Sequence, residues 1–134
     1  MTAQARADKF TWPPERIAEF NNAWGNGRVG SDLVSENDRV RVWQLSLKPG
    51  ERIGFHMHVL DYFWSAVTAG KSRSHMHDGR IVDTEYAAGS TKHYHFMSGE
   101  FMIHDLENIG DTELVFVTVE HKNSDNAPLP LNAS

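Results

Sequence analysis

Residues 50–70 read GERIGFHMHVLDYFWSAVTAG. The run over 53–68, between the two glycines, predicts β structure long enough to be bent or bulged. Within it His56 and His58 stand at i and i+2. Side chains alternate faces along a strand, so both imidazoles point the same way. A third imidazole, His104, follows 46 positions after His58 on another strand-like run. Imidazole nitrogens converging from two strands suit a borderline divalent metal and leave coordination positions open. The stretch therefore predicts a small β-barrel with a metal in its mouth.

Working outward, the same rhythm continues. Val40–Leu47 alternates with period two until Lys48-Pro49-Gly50-Glu51 turns the chain. Downstream, Ala69-Gly70 predicts a tight turn, and strands are expected over 72–77 and 80–85 around Asp78-Gly79, a hairpin signal. Further strands are expected over 91–97, 101–108 and 113–121, separated by Ala88-Gly89, Ser98-Gly99 and Ile109-Gly110-Asp111. Turn signals every 8–12 residues indicate an antiparallel sandwich or barrel. Before this region, residues 13–24 (PPERIAEFNNAW) predict a short helix. Pro13 starts it, Ile17, Phe20 and Trp24 share a face, and Gly25-Asn26-Gly27 ends it. The expected organisation is a leader and helix over 1–33, one barrel over 34–121, and a tail over 122–134 holding Pro128 and Pro130.

Composition narrows the function classes. With 134 residues the chain is one domain, and its net charge of −5 argues against a nucleic-acid or anionic-membrane partner. It has no cysteine, which excludes disulfide frameworks, thiolate metal sites and cysteine nucleophiles. No stretch approaches the ~18 apolar residues of a membrane span, and residues 1–10 lack an apolar signal core. The expected location is the cytoplasm. All eight histidines lie between His56 and His121.

These residues carry a resemblance. Gly50-x5-His56-x-His58, ending at Gly70, resembles the first motif of the cupins, and His104-x3-Asn108 resembles the end of the second. More narrowly, ENDRVRVWQLSLKPGE (36–51), His56-x-His58-x2-Asp61-Tyr62 and ENIGDTELVFVTVE (107–120) are similar to a group of small single-domain cupins. Some members of that group are connected with β-alanine degradation. The resemblance implies an all-β, single-domain jelly-roll barrel, commonly dimeric, with one divalent transition metal inside: Fe(II), Ni(II), Mn(II) or Zn(II). Its implied ligands are His56, His58 and His104.

Two departures from the cupin pattern bear on chemistry. Cupins usually add a glutamate four or five positions after the second histidine, where this chain has Tyr62 and Phe63. Asp61 stands one residue early and reaches the ion only if the strand bulges. The usual Pro-x-Gly-x2-His before the last ligand is here Gly99-x4-His104. Three imidazoles without a carboxylate leave the ion its full charge and about three open positions. That set resembles the iron sites of diketone-cleaving and thiol-oxidising cupin dioxygenases.

Each feature also has a plainer reading. His56, His58 and His104 alternatively form a polar stack bonded to itself inside the barrel. His75 and His77 are expected on a solvated hairpin rim; with a two-residue turn at Ala69-Gly70 they instead face Trp64 and Tyr62. His93 and His95 share that ambiguity. Trp43, Phe55, Trp64, Phe96 and Phe116 are expected to fill the barrel, and Arg39 and Arg41 to form a surface ladder. His121 is expected near the surface.

The function expected from this pattern is a small metal-dependent enzyme, dioxygenase-like, acting on a small oxygen-rich metabolite. Tyr62 and Asp61 are the candidate proton-handling residues. The alternatives are a non-redox isomerase or lyase using the ion as a Lewis acid, and a small-ligand or metal-binding module without turnover. A homodimer is expected, with Trp12 and Trp24 of the helical region covering a barrel edge.

Overall fold

A strand that alternates apolar and polar residues has one face to bury, and two sheets of such strands bury those faces against each other. The computed structural model, which describes residues 11–131, has this arrangement. Helix α1 (Pro14–Asn21) precedes nine strands. They are β1 (Asp32–Glu36), β2 (Val40–Leu47), β3 (Arg52–His58), β4 (Tyr62–Ala66), β5 (Gly70–His75), β6 (Ile81–Tyr86), β7 (Thr91–Tyr94), β8 (Met102–Asn108) and β9 (Leu114–His121). Five form one sheet in the order β1-β2-β9-β4-β7, and four form the other in the order β3-β8-β5-β6. Neighbours in both sheets are antiparallel. From β2 onward the chain keeps switching sheets, apart from the β5–β6 hairpin. The result is the jelly roll expected from the sequence.

The longest pairing sets the interior. β2 and β9 stay in register from Val40↔His121 to Leu47↔Leu114. They bury alternate residues: Arg41, Trp43, Leu45 and Leu47 from one, Leu114, Phe116, Thr118 and Glu120 from the other. Leu45, Leu47, Ala66, Tyr86, Leu106, Leu114 and Phe116 pack into one core cluster, joined by Ile53 and Trp64. Each fully buried Leu or Phe there contributes roughly 1.5–3 kcal/mol.

A second cluster lies on the outer side of the four-stranded sheet. Phe55, Met57 and Ile103 pack there with Trp12 and Ala23, and Ile17 and Phe20 of α1 close over them. α1 is also tied down by charge. Glu19 accepts two bonds from the Arg52 guanidinium (2.9 and 2.8 Å) and a third from the Phe55 amide (2.8 Å). Arg52 in turn donates to Asp105 (2.8 Å), whose carboxylate is fully buried and also accepts the His75 amide (2.6 Å). Hydrogen bonds from Arg52 hold the Glu19 carboxyl below its usual range.

Several expectations are corrected. The β region over 53–68 is two strands in different sheets, with the corner between His58 and Tyr62. The link from β4 to β5 is likewise a crossing between sheets and not a hairpin. Trp64 therefore pairs with Lys92 and Thr118, and Tyr62 with Tyr94 and Glu120, instead of His75 and His77. Gly70 is needed at that crossing because a Cβ there would meet Leu114 Cδ2 at 2.5 Å. Phe55 packs outside the barrel wall, and Arg41 is buried, bonded to Glu36 and the Leu129 carbonyl. The helix is shorter than 13–24. β1 begins at Asp32, ahead of the expected barrel boundary at 34. The tail is packed: Leu129 touches the outer cluster, and Asn126 bonds the Val59 and Met97 carbonyls. The leader over 1–10 and residues 132–134 lie outside the described residues.

Candidate metal centre

Strand parity decides whether His56 and His58 face inward, and a β-bulge sets that parity. Ile53 pairs with Leu106, yet His56 pairs with His104, so β3 spends three steps against two of β8. Unbroken alternation from inward-facing Ile53 would send Phe55 and Met57 inward and both histidines outward. The extra residue reverses this. Phe55 and Met57 go beneath α1, and His56 and His58 line the cavity between the sheets. Glycine suits the bulge: a Cβ at Gly54 would stand 2.9 Å from Glu19 Oε2.

The three imidazoles then meet. His56 and His104 are direct cross-strand partners with ring centroids 4.7 Å apart, and His58 lies diagonally at 5.2 Å from His104. One nitrogen from each ring falls within 4.8 Å of the others, and His56 and His58 are each 2% exposed. Burial lowers the pKa of all three, that of His56 to about 4. For His58 and His104 the neighbouring imidazoles push in the same direction. All three rings are therefore neutral at physiological pH, the state that offers lone pairs to a metal.

Hydrogen bonding alone does not satisfy this cluster. His56 Nδ1 lies 2.8 Å from the Gly54 carbonyl oxygen, which only accepts, so Nδ1 carries the proton and Nε2 presents its lone pair. That is the arrangement of a metal-ligating histidine oriented by a backbone carbonyl. His58 Nε2 and His104 Nε2 are 3.2 Å apart. Two nitrogens sharing one ion through bonds of about 2.1 Å stand at roughly that separation. His58 Nδ1 is buried with no hydrogen-bond partner and stays so whether Nε2 meets His104 or an ion, so the fit to a metal rests on the three converging nitrogens. The donor set fits a divalent transition metal.

Around the imidazoles is a cavity of about 390 Å³, lined by Leu45, Met102, Leu106 and Phe116 on apolar sides and by Ser74, Thr84 and Thr118 on polar ones. Tyr62 lines it and stacks on His58, centroids 4.1 Å apart and planes 14° from parallel. Tyr94 stacks behind Tyr62 at 4.6 Å. Burial raises the Tyr62 pKa well above the ordinary phenol value, so its hydroxyl stays protonated and acts as a donor.

Of the candidate site residues, the structure thus brings together His56, His58, His104 and Tyr62. Asp61 is placed elsewhere: the bulge precedes His56 instead of following His58, and Asp61 falls at the corner between sheets. Its carboxylate accepts from the Phe96 amide (2.8 Å) and faces His95 Nδ1 (3.0 Å). His75 is buried against Asp105 and the edge of Trp12, neither rim nor cavity. His77 packs on Phe101 and accepts from the Ile103 amide, and His93 and His95 are exposed. Sequence reasoning missed Arg80 and Lys92, which also line the cavity, and Glu120, buried and bonded to Trp43 Nε1 at 2.8 Å. Lys92 shares the parity of Tyr94, a signal usable only once the register of β7 is known.

No protein-family model matches the chain, and no curated protein matches its sequence. Among solved structures it is similar to a cupin domain from Bordetella pertussis Tohama I, at 30% identity over 68% of this chain and 90% of that one, TM-score 0.60. An uncharacterized conserved protein with a double-stranded β-helix domain from Klebsiella pneumoniae matches at 24% identity over 75% and 76%, TM-score 0.53. An RmlC-like cupin family protein from Methanocaldococcus jannaschii matches at 19% over 72% and 76%, also with TM-score 0.53. These last two speak to the fold alone.

Proposed function

The chain belongs to the cupin family, and from that premise we propose that it is a metal-dependent enzyme of the dioxygenase type, acting on a small, oxygen-rich metabolite. The observation that carries this reading is the convergence of three uncharged imidazoles in a cavity that no Asp or Glu among the described residues lines. A divalent ion held there, Fe(II), Ni(II), Mn(II) or Zn(II), would supply Lewis-acid polarisation of an oxygen ligand and, where redox-active, dioxygen activation.

The chain's own residues do the rest. His56, His58 and His104 hold the ion. Tyr62 fixes the plane of the His58 ring by stacking and presents a hydroxyl that stays protonated and can donate a hydrogen bond within the cavity. Leu45, Met102, Leu106 and Phe116 exclude water around the reacting ligand. Within the cupins we place the chain, on segments 36–51, 56–62 and 107–120, in the small single-domain group some of whose members are connected with β-alanine degradation.

We also propose a homodimer, through a different surface from the one the sequence suggested. Of the two tryptophans expected there, Trp12 is buried under α1 and cannot serve, while Trp24 is 66% exposed and packs one edge on Phe101. On the outer face of the five-stranded sheet, Val42, Val119 and Phe63 lie side by side across β2, β9 and β4, half-buried. That row supplies an apolar face for a second copy.

The test joins elemental analysis to oxygen uptake by ferrous-loaded protein with a panel of β-diketones, thiols and short keto acids. Substrate-dependent uptake is the expected result. Conversion without uptake would make the protein an isomerase or lyase, and tight binding without conversion would make it a binding module.

A further inference from the structure

The cavity's charges sit at its rim and are all positive. β7 and β6 each stand at one edge of their sheet. Lys92 pairs with Trp64 and Tyr94 with Tyr62, so both turn from β7 towards the interior, and both line the cavity. The Lys92 ammonium lies 5.1 Å from the centre of the Tyr94 ring. Across the opening, just ahead of β6, Arg80 also lines the cavity, but Asp78 holds its guanidinium at 2.6 Å. Lys92 has no ion-pair partner among the described residues. The chain as a whole has 18 acidic residues against 13 lysines and arginines. A cavity lined without Asp or Glu in such a chain, with one unneutralised ammonium at its lip, departs from the surface average in the direction that draws anions inward.

We infer that the ligand is a small organic acid, its carboxylate held at the rim by the Lys92 ammonium while its other end reaches the three imidazoles. This deepens the proposed function and rests on that reading of the cavity. The volume of about 390 Å³ falls at the small end of ligand sites, the size of a short-chain metabolite. One free ammonium matches one negative charge. A phosphate would call on more donors or on a helix N-terminus, and α1 lies on the outer side of the four-stranded sheet, away from the cavity. Lysine serves here as a point charge on a flexible stem, its ammonium over the Tyr94 ring.

The test is calorimetric titration of the metal-containing protein with malonate, succinate and 2-oxobutanoate, each beside its methyl ester, and with inorganic phosphate. Metal content is measured on every sample. At least one acid is expected to bind about tenfold or more tightly than its ester, with affinity falling as salt rises. Lys92→Met should bring acid and ester to within about twofold, and Lys92→Arg should keep most of the preference. An advantage that survives in Lys92→Met would show that the metal alone reads the carboxylate, and would overturn the inference. So would equal binding of acid and ester by the unmodified protein, no binding by any acid, or phosphate binding ahead of every acid. Protein that takes up no metal, yet prefers acids and loses the preference in Lys92→Met, would sink the metal reading and support this one.

Discussion

His56 and His104 face each other as direct partners across β3 and β8, their ring centroids 4.7 Å apart, although 48 positions separate them in the chain. The pairing makes the centre a property of one two-strand ladder, with His58 joining diagonally from the next inward position. His58→Ala removes one of the three nitrogens and the ring on which Tyr62 stacks. Metal affinity should fall by more than the roughly 10–100-fold that loss of a partner behind a ligand costs. Elemental analysis after dialysis against a weak chelator reads this, with circular dichroism to show an intact barrel. Full metal stoichiometry in the variant would show the ligand set to be wrong.

Asp105 offers a stability prediction independent of the metal. It is fully buried and balanced by Arg52 at 2.8 Å, with Arg16 at 3.6 Å, and the Glu19 contact passes through the same guanidinium. Asp105→Ala leaves Arg52 half-paired beneath α1 and the His75 amide without its acceptor. Urea denaturation should show a loss of about 1–3 kcal/mol, the cost of an unsatisfied buried amide, since Arg52 keeps its two bonds to Glu19. A loss under ~1 kcal/mol would mean that this network does not hold the helix down.

The proposed dimer face makes its own prediction. Light scattering at micromolar concentration should give twice the chain mass for the unmodified protein. Val119→Glu, which puts a charge between Val42 and Phe63, should give the chain mass with the fold retained. An unmodified monomer would contradict the assignment.

How much of this was legible in the sequence follows from what pairing information each feature needs. Strand alternation and turn residues are local, so most of the barrel could be read directly, including the Asp78-Gly79 hairpin, where Gly79 takes φ +93°. β1 escaped because Asp32–Glu36 buries almost nothing and shows no alternation. The inward direction of His56 and His58 depends on a bulge that Gly54 permits but does not announce, since the group that accepts the Phe55 amide there is the distant Glu19 of α1. Asp61 looked available for the missing glutamate because the corner after His58 is invisible without knowing which sheet receives Tyr62. Lys92 and Glu120 become notable only once register places the first at the cavity rim and the second inside. A lysine and a glutamate on alternating strands otherwise read as solvent-facing.

Glu120 gives a pH dependence of definite sign. Burial raises its pKa from the usual 4.5 to about 7, with the Trp43 indole donating to it and partly opposing the shift. Between those two values the folded state holds a proton that the unfolded chain has lost. Its contribution is therefore fully present below about 4.5 and is lost as pH rises through about 7, on the order of 3 kcal/mol in all. The three imidazoles of the centre act in the opposite direction. Their depressed pKa values make stability fall as pH drops below the usual histidine value of 6.5, so the raw profile mixes two slopes. Glu120→Gln separates them, because glutamine keeps the acceptor for Trp43 and does not titrate. The stability of the unmodified protein minus that of Glu120→Gln, from denaturant midpoints at pH 5, 6, 7 and 8, should decline steadily and flatten above about 7. A difference that is flat or rises across the range would mean that Glu120 is ionised in the folded barrel, and that Arg41 neutralises it from the paired position on β2.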